Sequence, residues 1–247
     1  MKPFLILQLR PEDEASDNEF SAFLKYGGLS EKDAHRVRME KEGIPDIDLK
    51  DYSGIILGGG PSNVSDKAEI KKDYEKRFEN DLNNLLTQVF KYDVPFLGVC
   101  YGIGAVNKFK GGIVSKEKYS EPVGTVEIEL TENSKGDDLL KELPKNFMAY
   151  CGHKEACQTL PEDAKLLAKS KDCPFQMIKF RNNIYAMQFH TELDEEGILL
   201  RIDVYKNHGY YSPEDADILV QKAKEYKVTV PNLILKKFVK KYRKNGL

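Results

Sequence analysis

The sequence predicts an α/β protein with a helical C-terminal extension. Three observations carry this. An apolar run, Val94-Pro95-Phe96-Leu97, enters a turn, Gly98-Val99-Cys100-Tyr101-Gly102, and a helix-compatible stretch, 103–109, leaves it. A second apolar segment, Gly54-Ile55-Ile56-Leu57, ends in Gly58-Gly59-Gly60-Pro61-Ser62-Asn63. Between them Ile70, Tyr74, Phe78, Leu82, Leu85, Leu86, Val89 and Phe90 recur at helical spacing, with Lys and Glu opposite.

The elements follow in order. Residues 4–9 form a first strand, and 10–18 a polar, acidic loop of the kind that borders ligand sites at strand C-termini. Residues 19–26 form a helix stopped by Gly27-Gly28, and 37–39 and 54–57 are the next strands. A long helix spans about 68–92. Residues 123–130 alternate apolar and polar, which predicts a half-buried antiparallel strand. Strands continue at 165–168, 175–180 and 184–189, the last two joined by an Arg181-Asn182-Asn183 hairpin. Residues 193–207 are helical. Ser212-Pro213-Glu214-Asp215 starts a helix reaching about Tyr226, and Pro231 opens another that ends in a basic run to Lys244. We expect one domain over 1–247, with a core of about 1–192 and the extension at about 193–247.

The turn at Cys100 is a nucleophile-elbow pattern with sulfur in place of a serine oxygen. A side chain on Gly98 or Gly102 would collide with the neighbouring strand or helix, and a thiol at a helix N-terminus is biased towards thiolate. A small buried thiol in a turn fits the same pentapeptide. A cysteine nucleophile needs a base and a group to orient it. Of the four histidines, His35, His153, His190 and His208, His190 lies two residues from Glu192 at the end of an apolar strand, where the two side chains share a face. The glycine-rich turn after Leu57 lacks the Gly-Lys-Ser/Thr of a phosphate loop. Its backbone suits an oxyanion hole, with the N–H of Tyr101 as second donor.

In order and spacing, the glycine-rich loop, Gly-x-Cys-x-Gly and Phe189-His190-Thr191-Glu192 resemble the triad-type class I glutamine amidotransferases. Cys151-Gly152-His153-Lys154-Glu155 lies where that family carries a His-containing substrate loop, and Gly59-Gly60-Pro61-Ser62-Asn63-Val64-Ser65 is similar to the glutaminase half of GMP synthases. The resemblance covers about 4–192. It implies an open, mainly parallel sheet flanked by helices. It implies Cys100 as nucleophile, His190 as base, Glu192 as orienting acid, and Gly60 and Tyr101 as oxyanion donors. Gly59, Gly60, Gly104, Gly152 and His153 would line the substrate. The family has Gln where Gly104 stands, four residues after the cysteine, to hold the amino-acid end of glutamine. It has Pro where Thr191 stands, and the GMP synthase type has Gly-Asp for Lys154-Glu155. We expect Lys154 to be solvated.

With 38 basic and 40 acidic residues the net charge is −2, and nothing favours nucleic acid or an anionic membrane. The apolar run at 4–7 is only strand length, too short for a signal peptide or membrane span. Cys100, Cys151, Cys157 and Cys173 lack metal-type spacing, which suits reduced thiols in the cytoplasm. The expected chemistry is hydrolysis of a γ-glutamyl amide through a thioester, without metal or cofactor. No ATP-pyrophosphatase or P-loop motif is present, so an amidotransferase of this kind needs a separate synthetase subunit to receive its ammonia. A γ-glutamyl peptide hydrolase would need none, and Gly104 leaves room for its larger substrate. A non-enzymatic protein with a redox or regulatory cysteine is a third reading.

Overall fold

The computed structural model describes residues 2–207 and 211–243. The strands are β1 (Phe4–Gln8), β2 (Ala34–Arg38), β3 (Gly54–Leu57), β4 (Phe96–Val99), β5 (Val114–Ser115), β6 (Glu121–Leu130), β7 (Asn146–His153), β8 (Ala156–Cys157), β9 (Lys165–Lys169), β10 (Met177–Phe180) and β11 (Ile184–Met187). The helices are α1 (Asp13–Gly27), α2 (Met39–Glu42), α3 (Asp73–Tyr92), α4 (Tyr101–Phe109), α5 (Glu195–Val204), α6 (Ala216–Lys224) and α7 (Val230–Tyr242).

Nine strands form one sheet in the order β2-β1-β3-β4-β11-β10-β9-β6-β7, and β5 and β8 pair separately. The first five in that order run parallel. The last four run antiparallel, in keeping with the alternation in β6. Alternate side chains of the parallel strands feed two cores, because successive residues point to opposite faces. Leu5, Leu7, Ile55 and Leu57 pack with Phe78, Leu82, Leu86 and Val89 of α3 and with Ile103 and Val106 of α4. Phe4, Ile6, Ile56 and Leu97 pack with Phe23 of α1 and with Ile234, Leu235 and Phe238 of α7. The extension thus contributes to the core beside β1. A third cluster joins Ile198 and Ile202 of α5 and Leu219 of α6 to Tyr150 of β7.

Several boundaries differ from expectation. The polar segment after β1 is mostly helix: α1 starts at Asp13, with Asp13 and Glu14 meeting the positive end of the helix dipole and Ala15, Ser16 and Glu19 buried. Helix α3 starts at Asp73, where the Glu75 carboxylate accepts from Lys72 N at 2.7 Å. Ile70 therefore falls before the helix and is 70 % exposed. Residue Met39 opens α2 instead of closing β2, and α6 ends at Lys224. Strand β7 has no counterpart among the expected strands, and it carries Cys151-Gly152-His153 on its end. His208 and Lys244 lie outside the described residues.

Candidate active site

Strands β1, β3, β4 and β11 are parallel neighbours, so their C-terminal ends lie side by side. Just past these ends stand Arg10, Gly58-Gly59-Gly60, Cys100 and His190. This is the edge at which open α/β sheets bind ligands.

Cys100 links β4 to α4 with φ 53° and ψ −94°, a backbone state that L side chains rarely adopt. Its N–H donates to Met187 O at 2.8 Å, which ties the elbow to β11. The turn is tight at Gly98. A Cβ there would stand 3.1 Å from Cα and C of Gly102 and 3.0 Å from the Phe96 ring. Gly102 differs from expectation: its own Cβ would meet only Leu57 at 3.6 Å, an ordinary contact. Its importance is as the backbone that Gly98 approaches. The N–H of Tyr101, at the first position of α4, has no acceptor within the helix.

His190 follows β11. Its N–H donates to Tyr150 O at 2.9 Å, and its ring is nearly sealed from solvent. Nδ1 lies 2.7 Å from Glu192 Oε1, and Cys100 lies beside the same ring. Burial alone would disfavour the imidazolium. The Glu192 carboxylate and the contact with Cys100 outweigh it and raise the ring to about 9. Burial likewise opposes the Glu192 charge, but His190 and then Arg201 hold the carboxyl well below its ordinary range. Gly59 is wedged into this group. A Cβ on it would stand 3.0 Å from Cys100 Cβ, 3.0 Å from His190 Cε1 and 3.2 Å from Arg10 Nη2.

Two clefts meet at Cys100, Gly60 and Gly152. The first is also lined by Ser62, Asn63, Tyr101, Gly104, His153, Lys154, Glu155 and Gln188. Gln188 Nε2 stands 4.0 Å from Cys100 Sγ. Glu155 shapes the first cleft, accepting from Val64 N at 2.7 Å and Ser65 N at 2.8 Å and so pinning the glycine-rich loop. This holds Val64 where a Cβ on Gly104 would be 3.3 Å from it. Lys154 is half-buried on the cleft wall instead of solvated, and burial followed by repulsion from Lys116 lowers its ammonium. The second cleft is also lined by Arg10, His190, Arg201 and Tyr205.

His153 lines the first cleft but spends both ring nitrogens within the protein. Nδ1 lies 2.8 Å from Glu155 O and Nε2 2.8 Å from Glu121 Oε2. Both ring nitrogens are therefore engaged within the protein. Glu121, Cys151 and His153 bring three ligand-type atoms within 4.8 Å of one another. They do not fit a metal, since both imidazole nitrogens are already hydrogen-bonded to protein groups. Glu121 already accepts from His153, from Ser170 and Gln176 at 2.5 Å each, and from Cys151 at 3.4 Å. The set is a hydrogen-bond network bracing the end of β7.

Arg10, Glu19, Arg201 and Tyr205 were not singled out from the sequence, and Glu155 entered it only as a departure from the family's pattern. A signal existed for Arg10, a charged residue just past the end of a core strand. None existed for Arg201, whose helix shows no functional pattern.

A family model described as "Glutamine amidotransferase class-I" matches residues 21–197. The chain is similar to the glutamine-hydrolyzing GMP synthase of Borrelia garinii, 33 % identical over 61 % of this chain and 25 % of the relative. It is also similar to one subunit of the glutamine-hydrolyzing GMP synthase of Pyrococcus abyssi, 33 % identical over 61 % of this chain and 71 % of that one. The match thus spans only about a quarter of the first relative's length. A glutamine amidotransferase structure from Thermotoga maritima shares the fold, with TM-score 0.76, 20 % identity and coverage of 99 % of this chain and 100 % of that one. The mainly parallel sheet, the elbow cysteine and the matched span agree: this chain belongs to the class I glutamine amidotransferase family.

Proposed function

We propose that the chain hydrolyses a γ-glutamyl amide through a thioester on Cys100. The observation that carries this is the grouping of Cys100, His190 and Glu192 at the mouth of two clefts, with Glu192 bonded to the ring and Cys100 beside it.

The thiol proton passes to His190, whose imidazolium is favoured by Glu192. The thiolate attacks the side-chain carbonyl carbon and an S–C bond forms. Negative charge moves to the carbonyl oxygen, where the N–H groups of Tyr101 and Gly60 would receive it. One such donor contributes about 3–4 kcal/mol in a comparable hydrolase. His190 gives its proton to the departing nitrogen as the C–N bond breaks. Water then attacks the thioester, giving a proton to His190, and glutamate leaves as the S–C bond breaks. Gly59 lets the loop approach both reacting groups.

The relatives' names favour glutamine as substrate, with ammonia passed to a synthetase on a separate polypeptide. A second reading, a γ-glutamyl peptide as substrate, is favoured by Gly104. The family's Gln is absent there, although the room expected beside Gly104 is narrowed, since a Cβ on it would stand 3.3 Å from Val64, which Glu155 pins. Glutamate release from glutamine, compared with release from γ-glutamyl dipeptides, separates the two. We expect release from at least one of them and none from Cys100→Ala. Release undiminished in that variant would overturn the assignment.

A further inference from the structure

The Glu192 carboxylate is held at one oxygen only. Oε1 meets Nδ1 of His190, while Oε2 is buried and has no hydrogen-bond partner among the described residues. Arg201 favours the carboxylate charge, but its Nη1 is spent on Asn18 and Gly197 O, and its Nε and Nη2 have no hydrogen-bond partner among the described residues. The aim of the carboxylate at the ring is therefore set by the backbone that carries it.

That backbone, residues 188–194 between β11 and α5, is neither strand nor helix. It is pinned on both sides of the glutamate. Before it, the His190 N–H donates to Tyr150 O at 2.9 Å. After it, the Asp194 carboxylate accepts from Tyr26 OH at 2.6 Å and from Lys25 Nζ at 2.9 Å. Between these pins Thr191, Glu192 and Leu193 have no exposed surface. Their carbonyls lie outside the ladders of the sheet, and a buried carbonyl needs a donor. Asn232 supplies it: Nδ2 donates to Thr191 O at 2.9 Å and to Leu193 O at 3.3 Å. Both partners are acceptors, so the NH₂ end of the amide faces them. The backbone torsions of Glu192 and Leu193 lie between the two bonded carbonyls, and one amide thus limits them all.

The amide itself is anchored. Asn232 stands in the first turn of α7 and is 7 % exposed. Ile234, Leu235 and Phe238 of the same helix pack with Phe4 and Ile6, and with Tyr185 and Met187 of β11, the strand that leads to His190. Asn232 lines neither cleft and lies beyond the span matched by the family model, 21–197.

We propose that Asn232 is a positioning residue: its amide fixes the backbone on both sides of Glu192 and so holds the carboxylate on Nδ1 of His190. The C-terminal helix is thereby part of the proposed active site. This rests on the roles given to His190 and Glu192 above and adds a residue to them.

The test is made in the full chain with Asn232→Leu, similar in size but without the donor, and with Asn232→Ala should the first not fold. Circular dichroism verifies folding. The ring of His190 is titrated by NMR, its signal assigned by its loss in His190→Gln. The groups that act on this ring are Glu192 and Cys100, with Arg201 acting on Glu192. All three remain in the variants and Asn232 is neutral, so a shift reports geometry. In Asn232→Leu the ring is expected to titrate at lower pH than in the wild type. The kcat for glutamate release is expected to fall by up to about a hundred-fold, with KM little changed. Added to Glu192→Gln, the substitution should move neither further. A ring titration unmoved in a folded variant, whatever the loss of rate, shows a structural role only and overturns the proposal. So does a double variant that loses as much again. A wild-type ring titrating at or below the ordinary imidazole value of about 6.5 also overturns it, and needs no variant to fold. If no tested substrate yields glutamate, the hydrolysis fails, while the titrations still decide whether Asn232 holds Glu192 on the ring.

Discussion

Glu192 Oε1 lies 2.7 Å from Nδ1 of His190, with both side chains buried and Cys100 beside the ring. A carboxylate at that distance in a dry site stabilises the imidazolium, and it does so on the nitrogen where a proton must stay for the ring to work on Cys100.

The pH profile follows from this pair. His190 must carry a proton to release the leaving nitrogen, and the ring is raised to about 9. Activity should therefore fall as pH rises through about 9. Replacing Glu192 with Gln removes the charge that favours the imidazolium, so the ring loses its proton more easily and the basic limb of kcat/KM should move to lower pH. A rate profile for the wild type and Glu192→Gln checks this. A limb that moves to higher pH would be the wrong sign.

Gly98 and Gly102 look equivalent in sequence and are not equivalent in space. Gly98→Ala drives a Cβ to 3.1 Å from the Gly102 backbone, while Gly102→Ala meets Leu57 at 3.6 Å. We expect Gly98→Ala to lose about 1–3 kcal/mol of stability, as overpacked sites do, and to displace Cys100. Gly102→Ala should lose less. Denaturant unfolding of both variants measures the difference.

That contrast marks how far the sequence could be read. The apolar runs and the punctuation by glycine made β1, β3, β4 and the elbow legible, because strand-turn-helix patterns are local. The Cys100, His190 and Glu192 set was legible because few histidines exist and, of the two with a glutamate two residues on, His153 and His190, only His190 ends a run that reads as a strand in the sequence. Which glycine touches what was not legible, since that depends on the packing of α4 on β3. Strand β7 was missed because its residues alternate poorly and its order comes from pairing with β6. The start of α1 was missed because acidic residues next to a strand end look like a loop until the buried face of Ala15, Ser16 and Glu19 is seen. Arg201 carries no local signature. Its role comes from distant parts of the chain: Asn18, to which it donates, and Glu192, whose charge it favours.

Cys100 carries backbone strain. Its φ of 53° with ψ of −94° is tolerated because Met187 O and the following helix hold it. Such states cost of order 1–3 kcal/mol, and glycine escapes most of that. Cys100→Gly should therefore be inactive and more stable, by roughly 2–4 °C in melting temperature for each 1 kcal/mol recovered. Thermal unfolding followed by circular dichroism checks this. A lower melting temperature would mean that the thiol packs better than the strain costs.

The most direct test of the central claim is the site at which a glutamine-analogue electrophile reacts. Cys151, Cys157 and Cys173 are buried, and burial raises all three thiols. Cys100 alone among the four is partly exposed, and it lies against His190. Mass spectrometry of the treated protein should find one adduct, on the peptide containing Cys100, and none in Cys100→Ala. An adduct on another cysteine, or an unmodified Cys100 after long exposure, would contradict the account.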